Sequence, residues 1–96
     1  MRHFIVELTY TVTFEQLADV IPLHRAFLQT AYERGWVLCS GPQLPKTGGI
    51  IVMRMESLEA VTTFFEGDPF KLRRLADYRF IEFDMVKRQS LLDAWR

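Results

Sequence analysis

Cysteine and net charge are what this sequence has least of. Its 96 residues include one cysteine, and 12 lysines and arginines balance 12 aspartates and glutamates. Because one thiol cannot build an intramolecular disulfide framework, a reducing compartment is expected. A chain without net positive charge has no general attraction for a phosphate backbone. We therefore expect a cytoplasmic protein that does not bind nucleic acid.

Long apolar runs and nucleotide-binding motifs are also lacking. No apolar run approaches the ~20 residues of a membrane helix, and Glu7 follows only three apolar residues near the N-terminus, which is unlike a signal peptide. No G-x-G-x-x-G, Walker or G-x-S-x-G pattern is present. We therefore expect neither a membrane-spanning segment nor a nucleotide cofactor. No cofactor of any other kind is expected.

Apolar residues, in contrast, are abundant for so short a chain. Hydrophobic residues make up 49% of the sequence and aromatic residues 14%. A chain of this length forms one domain with a small interior. We expect a single domain over residues 1–96, with a core at 3–86 and a C-terminal tail at 87–96. Its excess apolar surface favours a homodimer.

Two periodicities predict the elements of the core. Alternation with period two indicates strands, and apolar residues at i, i+3, i+4 and i+7 indicate helices. Pro22 suits a first helical turn, and Gly35 suits a helix end. The first expected elements are a strand at 4–10 and helices at 14–20 and 22–34, or one helix kinked at Pro22. Strands at 36–40 and 50–55, a helix from Ser57 to Gly67, a helical turn after Asp68 and a strand at 78–86 are expected to follow.

This β-α-β-β-α-β order is the ferredoxin-like pattern, an α+β fold with a four-stranded antiparallel sheet. Helices cover one face of such a sheet. Several strands are nevertheless apolar on both faces, as where Ile5 alternates with Phe4 and Val6. A sheet of this kind needs cover on both sides. Two sheets packed face to face across a two-fold axis supply that cover.

The patterns also predict which side chains are buried. The long helix is expected to bury a stripe of four residues, and the helical turn after Asp68 two leucines. Cys39 is expected to be a small buried hydrophobe, and Gly48-Gly49 to mark a loop. The tail is expected to be helical and to dock on another surface, either extending the dimer contact or shielding the mouth of a pocket. The four stripe residues are Leu23, Phe27, Thr30 and Ala31, and the leucines are Leu72 and Leu75.

His24 and Asp68 are the candidates for chemistry. His24 lies in the first helical turn, where free N–H groups and the positive end of the helix dipole disfavour a protonated ring. A neutral imidazole can act as a general base, and a carboxylate can fix its tautomer. The alternative is a half-buried helix histidine and a plain N-cap aspartate. Spacing alone does not show that the two meet.

Four further residues are candidates for substrate binding. The Ser40 hydroxyl, the Gly41 N–H and Tyr10 can together hold a developing oxyanion. Phe70, with Trp36, can line an apolar pocket. The alternative for Ser40 and Gly41 is an ordinary turn. No second histidine or Cys/His/carboxylate cluster supports a metal site, so none is expected.

Three motifs together resemble the YciI-like family of the dimeric α+β barrel superfamily, over about residues 3–86. That resemblance implies a ferredoxin-like fold, subunits packed sheet to sheet, and a proposed His-Asp dyad in a pocket, which corresponds to His24 and Asp68. Some members are linked to breakdown of hydroxylated or chlorinated aromatics by elimination or isomerisation. The motifs are Pro22-x-His24, Ser40-Gly41-Pro42 followed by Gly48-Gly49, and Gly67-Asp68-Pro69-Phe70.

The chain departs from the family pattern in two places, and two functions are considered for it. Family members often carry a small or apolar residue at Cys39 and Ser40, and the tail after Val86 is not part of the pattern. The preferred function is a cofactor-free enzyme, lyase- or isomerase-like, in which His24 moves a proton on a small cyclic or aromatic substrate. The alternative is a non-catalytic dimeric module that binds a small molecule or serves as an accessory subunit.

Overall fold

The computed structural model describes all 96 residues and has the predicted β-α-β-β-α-β order. The predicted strands and the helices predicted at 22–34 and from Ser57 to Gly67 are present, with ends shifted by a few residues, whereas the helix predicted at 14–20 is a four-residue 3-10 turn. The elements are β1 (Arg2–Tyr10), a 3-10 turn (Phe14–Leu17), α1 (Ile21–Glu33), β2 (Val37–Pro42), β3 (Gly48–Met55), α2 (Leu58–Phe65), α3 (Pro69–Leu72), β4 (Ala76–Phe83) and a second 3-10 turn (Ser90–Leu92).

The four strands form one antiparallel sheet in the order β2-β3-β1-β4. Val6 lies at its centre, opposite Ile51 on β3 and Phe80 on β4. Val6 and its neighbours two residues away, Phe4 and Leu8, are at most 1% exposed. Because strand side chains alternate between faces, this buried face is the one that the helices cover. The predicted ferredoxin-like α+β fold is therefore confirmed.

Two helix ends show how local sequence sets the boundaries. Ser57 precedes α2 and its hydroxyl accepts a hydrogen bond from the N–H of Ala60 at 3.0 Å, which satisfies a backbone donor that the helix leaves free. Gly35 follows α1 with a φ of +73°. That left-handed conformation costs glycine little, so the chain turns there from α1 into β2.

The buried stripe of α1 differs from the prediction. Leu28 and Ala31 are buried, whereas Leu23 is 47% exposed and Thr30 is exposed. The helix carries apolar residues around more than half of its first two turns, so the sequence is compatible with more than one orientation. Packing on the sheet selects the face that carries His24, Leu28 and Ala31, which are spaced i, i+4 and i+7.

Of the two leucines predicted to face inward after Asp68, Leu72 does not, whereas Leu75 packs against the core. Leu72 is 68% exposed, and the side chain that α3 buries is Phe70, which is 1% exposed. Leu75 is only half-buried, in the connection to β4. Because α3 has four residues, it presents a single side chain to the interior.

Cys39 and Gly48-Gly49 also depart from the expectations. Cys39 is exposed because it lies on β2, the edge strand, just after an irregularity in the pairing of β2 with β3. The glycine pair does not form a loop but begins β3, where Gly48 pairs with Thr9 and Gly49 with Leu8. Close contact between the two backbones explains glycine at this position, because a Cβ on Gly48 would lie 1.9 Å from the carbonyl oxygen of Leu8.

The sheet face opposite the helices is partly covered by the tail. The tail contains one 3-10 turn instead of a longer helix, but it docks, on this face of the sheet: Trp95 packs on His3 with ring centroids 5.5 Å apart, and its carbonyl accepts from Arg54. Burial lowers the pKa of His3, and the positive N-terminus and Arg54 lower it further. Elsewhere on this face Ile5 remains partly exposed. None of the helices is long and apolar enough to cross a bilayer.

Candidate functional site

A cavity of about 260 Å³ opens between α1 and the ends of β1, β2 and β3. Eight of its 15 lining residues are hydrophobic, as in most small-molecule sites. Its volume suits a compound with one ring, and a dinucleotide would not fit. Five of the six predicted site residues line it, namely Tyr10, His24, Ser40, Gly41 and Phe70.

Asp68, the sixth predicted residue, lies directly behind His24. The ring Nδ1 of His24 is 2.8 Å from Oδ1 and 3.0 Å from Oδ2 of Asp68. Because an ionised carboxylate only accepts hydrogen bonds, Nδ1–H is the donor. In the neutral ring the lone pair is then on Nε2, which makes no hydrogen bond within the protein and is not among the buried unpartnered atoms. His24 therefore offers a free basic nitrogen to the cavity.

The local sequence around Asp68 explains why its carboxylate is held in place. Asp68 is the N-cap of α3, and its Oδ1 accepts from the N–H of Phe70 at 3.1 Å. The ring of Phe70 stacks on the His24 imidazole, with centroids 4.2 Å apart and planes 11° apart. The capping role and the contact with His24, which the sequence left as alternatives, therefore coexist in one side chain.

Tyr78 is a site residue that the sequence analysis missed. Its hydroxyl donates to Oδ2 of Asp68 at 2.6 Å, from β4. Burial raises the pKa of Tyr78 far above its usual range, and the hydrogen bond to Asp68 raises it further, so the phenol remains a donor. Asp68 is fully buried, yet three donors satisfy its carboxylate. The only available signal was a polar-tipped aromatic that shares one face of β4 with the apolar residues Ala76 and Phe80.

We expect Tyr78→Phe to destabilise the fold by about 1.5–3 kcal/mol, because a hydrogen bond to a buried charged group is lost. Urea unfolding measures this change. Tyr32→Phe is the matched control: it removes a hydroxyl bonded to Ser40 in an exposed setting and is expected to cost under about 1 kcal/mol. Equal losses of unfolding free energy in the two variants would show that the Tyr78–Asp68 hydrogen bond contributes no more than an exposed one.

The proposed oxyanion-binding residues, Tyr10, Ser40 and Gly41, all line the cavity. Burial raises the pKa of Tyr10, so its hydroxyl is a neutral donor at physiological pH. Ser40 and Tyr32 share a hydrogen bond of 2.7 Å in which either hydroxyl can donate. Nothing lies within 4 Å of a Cβ built on Gly41. Their role in binding an oxyanion stays a prediction.

Trp36 was expected to line the pocket, and this is wrong. Its ring packs edge-on against Phe64 at 5.7 Å, under the Arg34 guanidinium, and it is not among the cavity residues. The sequence missed two cationic side chains that do line the cavity, Arg25 and Lys46. No three His, Cys, Asp or Glu side chains lie close enough together to hold a metal ion.

Fold and site together define a small α+β domain in which a buried carboxylate holds a histidine at the wall of an apolar cavity. The chain belongs to the YCII-related domain family, whose model matches residues 1–84. The resemblance drawn from the three motifs is therefore confirmed. The tail from residue 85 onwards lies outside the matched region.

One solved structure with the same fold is the 5-chloro-2-hydroxyhydroquinone dehydrochlorinase TftG from Burkholderia phenoliruptrix AC1100, in complex with 2,5-dihydroxybenzoquinone. It is 22% identical in sequence, with a TM-score of 0.70, and the match covers 95% of this chain and 98% of that one. At this identity the likeness shows a shared fold. No curated protein matches the chain.

Proposed function

We propose that the protein is a small cofactor-free enzyme, lyase- or isomerase-like, in which His24 transfers a proton on a one-ring substrate. The observation that carries this proposal is the His24–Asp68 pair: Nδ1 is held at 2.8 Å by a fully buried carboxylate, while Nε2 is unbonded at a cavity. Asp68 thus fixes the tautomer that a general base requires.

The proposed reaction begins when Nε2 of His24 removes a proton from the bound substrate. Asp68 then stabilises the imidazolium, and Phe70 keeps the ring in plane. In an elimination, the electrons of the broken bond to hydrogen expel a leaving group from the neighbouring carbon. In an isomerisation, the imidazolium returns the proton to another atom. Tyr10 can donate to an oxygen on which charge develops.

The substrate class is supported by the size of the cavity and by the structural neighbour. About 260 Å³ accommodates one substituted ring. TftG, which shares the fold, is a dehydrochlorinase of a hydroxylated and chlorinated ring compound. We therefore propose a hydroxylated aromatic or related cyclic compound as substrate and an elimination as the first reaction to assay.

His24→Gln tests this function. We expect wild-type protein to convert a compound from a panel of chlorinated hydroquinones, with chloride release as the readout, and His24→Gln to lower the rate about 10²–10⁴-fold, the usual contribution of a positioned base. Circular dichroism checks that the variant is folded. Unchanged turnover in a folded variant would refute the role of His24. Tight binding without any conversion by the wild type would favour the alternative, a non-catalytic binding module.

We also propose a homodimer formed through the sheet face opposite the helices. Ile5 lies there between Val52 and Ile81, and all three remain partly exposed despite the docked tail. A cytoplasmic location is proposed as well, because Cys39 is the single cysteine and is exposed as a free thiol.

Sedimentation velocity tests the dimer. The wild type is expected to sediment as a dimer and Ile5→Glu as a monomer, because a charge buried between two sheets is unpaired. Leu72→Glu is the control, since Leu72 is 68% exposed on α3 and its replacement is expected to leave the dimer intact. A wild-type monomer at all concentrations would refute the proposal.

A further inference from the structure

Two cationic side chains at the cavity have no part in the proposed proton transfer. Arg25 follows His24 directly on α1, and Lys46 lies in the connection between β2 and β3. Both are exposed residues, so they stand at the solvent side of the cavity. The Nζ of Lys46 lies 4.9 Å from the ring centroid of Phe14, another cavity residue. Positive charge therefore reaches the opening from both the helix and the hairpin connection.

Neither cation is neutralised within the protein. No carboxylate lies within ion-pair distance of Arg25 or Lys46, and no aspartate or glutamate lines the cavity. Asp68, the carboxylate behind His24, is fully buried, and its oxygens accept hydrogen bonds from three donors. The opening is therefore positive, with apolar walls beneath it. The arginine–carboxylate ion pairs of the protein are Arg2–Glu82 and Arg88–Asp93, and neither involves Arg25 or Lys46.

This arrangement favours a particular ligand charge. A cleft lined by one sign of charge with low-dielectric walls attracts ions of the opposite sign. A guanidinium also presents several donors to a carboxylate or an oxyanion. A neutral ring gains only the apolar contacts with the cavity wall, whereas a ring with an anionic substituent also gains the electrostatic attraction of the two cations. Charge is therefore the property by which the cavity can distinguish ligands of the same size.

We propose that Arg25 and Lys46 form an anion-binding subsite and that the cavity takes single-ring organic anions, with a ring carboxylate or an ionised ring hydroxyl. The anionic substituent lies at the solvent side, between the two cations, and the ring lies against the apolar wall that includes Phe70. The anion preference specifies the substrate class of the proposed enzyme. It depends on that proposed function only because the subsite lies in the same cavity.

Equilibrium binding tests the subsite independently of turnover. The carboxylate probe is 2,5-dihydroxybenzoate, with the neutral amide 2,5-dihydroxybenzamide as its partner. The oxyanion probe is 2,5-dihydroxybenzoquinone, with its neutral dimethyl ether as partner. Binding is followed by isothermal titration calorimetry and by NMR shifts of the His24 ring, at low and high salt. The variants are Arg25→Gln, Lys46→Gln and the double variant, and Lys87→Gln is the control because Lys87 does not line the cavity.

We expect at least one anion to bind about tenfold or more tightly than its neutral partner. Each single variant should weaken that anion about 3- to 10-fold, as expected for charged contacts near a surface, and leave the neutral partner unchanged. High salt should reduce the preference, and Lys87→Gln should not alter it. The probe pair that shows the preference identifies the substituent as carboxylate or oxyanion.

Equal binding of anion and neutral partner in both pairs, or a preference that survives the double variant, would overturn the subsite. Such a result would leave the proposed function standing if His24→Gln still abolished turnover. Conversely, anion binding that depends on Arg25 and Lys46 in a protein that converts no substrate would support the subsite and refute the enzyme. The two failures are therefore distinguishable.

Discussion

Asp68→Asn is expected to lower turnover of the proposed enzyme by about 10⁴-fold while the chain stays folded. The asparagine amide has one acceptor oxygen and one NH₂ group, so it cannot accept from His24, Tyr78 and the Phe70 N–H together. An NH₂ group facing Nδ1 of His24 favours the other tautomer, with the proton on Nε2. The nitrogen that faces the substrate then cannot act as a base, a change that costs about 10⁴-fold in a comparable triad.

The matched measurements separate the capping role of Asp68 from its role in the site. Asp68→Ala removes the acceptor of a buried polar network and is expected to cost about 3–5 kcal/mol in urea unfolding. Ser57→Ala removes a cap at α2, remote from the cavity residues, and is expected to cost about 1 kcal/mol. If both alanine variants cost about the same and Asp68→Asn keeps full turnover, Asp68 acts as an N-cap only.

NMR gives a direct readout of the tautomer. The ¹⁵N shifts of the His24 ring are expected to show the proton on Nδ1 in the wild type and on Nε2 in Asp68→Asn. A merely structural role for Asp68 would change stability without exchanging the two nitrogen signals. The same spectra of Tyr78→Phe should retain the wild-type pattern, because Asp68 still accepts from His24 when Tyr78 no longer donates.

The sequence predicted most of what depends on near neighbours along the chain. Strand alternation, the helix end at Gly35 and the N-caps Ser57 and Asp68 are set within a few residues, and the structure has each of them. The fold order follows from these elements and the known β-α-β-β-α-β pattern. The pairing of His24 with Asp68 was predicted only through the family resemblance, because no local rule joins α1 to the residue that precedes α3.

What the sequence did not predict depends on how elements pack. Tyr78 reaches Asp68 only because β4 lies beside β1 under α3. No local pattern marks Arg25 or Lys46 as cavity residues, and only the packing of α1 beside the β2–β3 hairpin brings both to one cavity. The orientation of α1, which buries Leu28 and exposes Leu23, is likewise chosen by the sheet. These contacts join residues that are far apart in the sequence, so local sequence patterns do not predict them.

Gly48 shows how strongly such a contact constrains a single position. A Cβ there would lie 1.9 Å from the carbonyl oxygen and 2.9 Å from the carbonyl carbon of Leu8. Both are backbone atoms, so no rotamer change relieves the overlap, and β1 and β3 must separate where they pair. Leu8, which also lines the cavity, has to move with them.

We therefore expect Gly48→Ala to destabilise the fold by about 3 kcal/mol, at the upper end of the usual cost of overpacking, and to weaken ligand binding at the cavity. Gly41→Ala is the matched control: Gly41 also lines the cavity but has nothing within 4 Å of a Cβ, so its stability should change by less than about 0.5 kcal/mol. Urea unfolding of the two variants makes the comparison. Since each variant adds one methyl group to a glycine of the same hairpin, equal stabilities would contradict a close approach of the Leu8 backbone to Gly48.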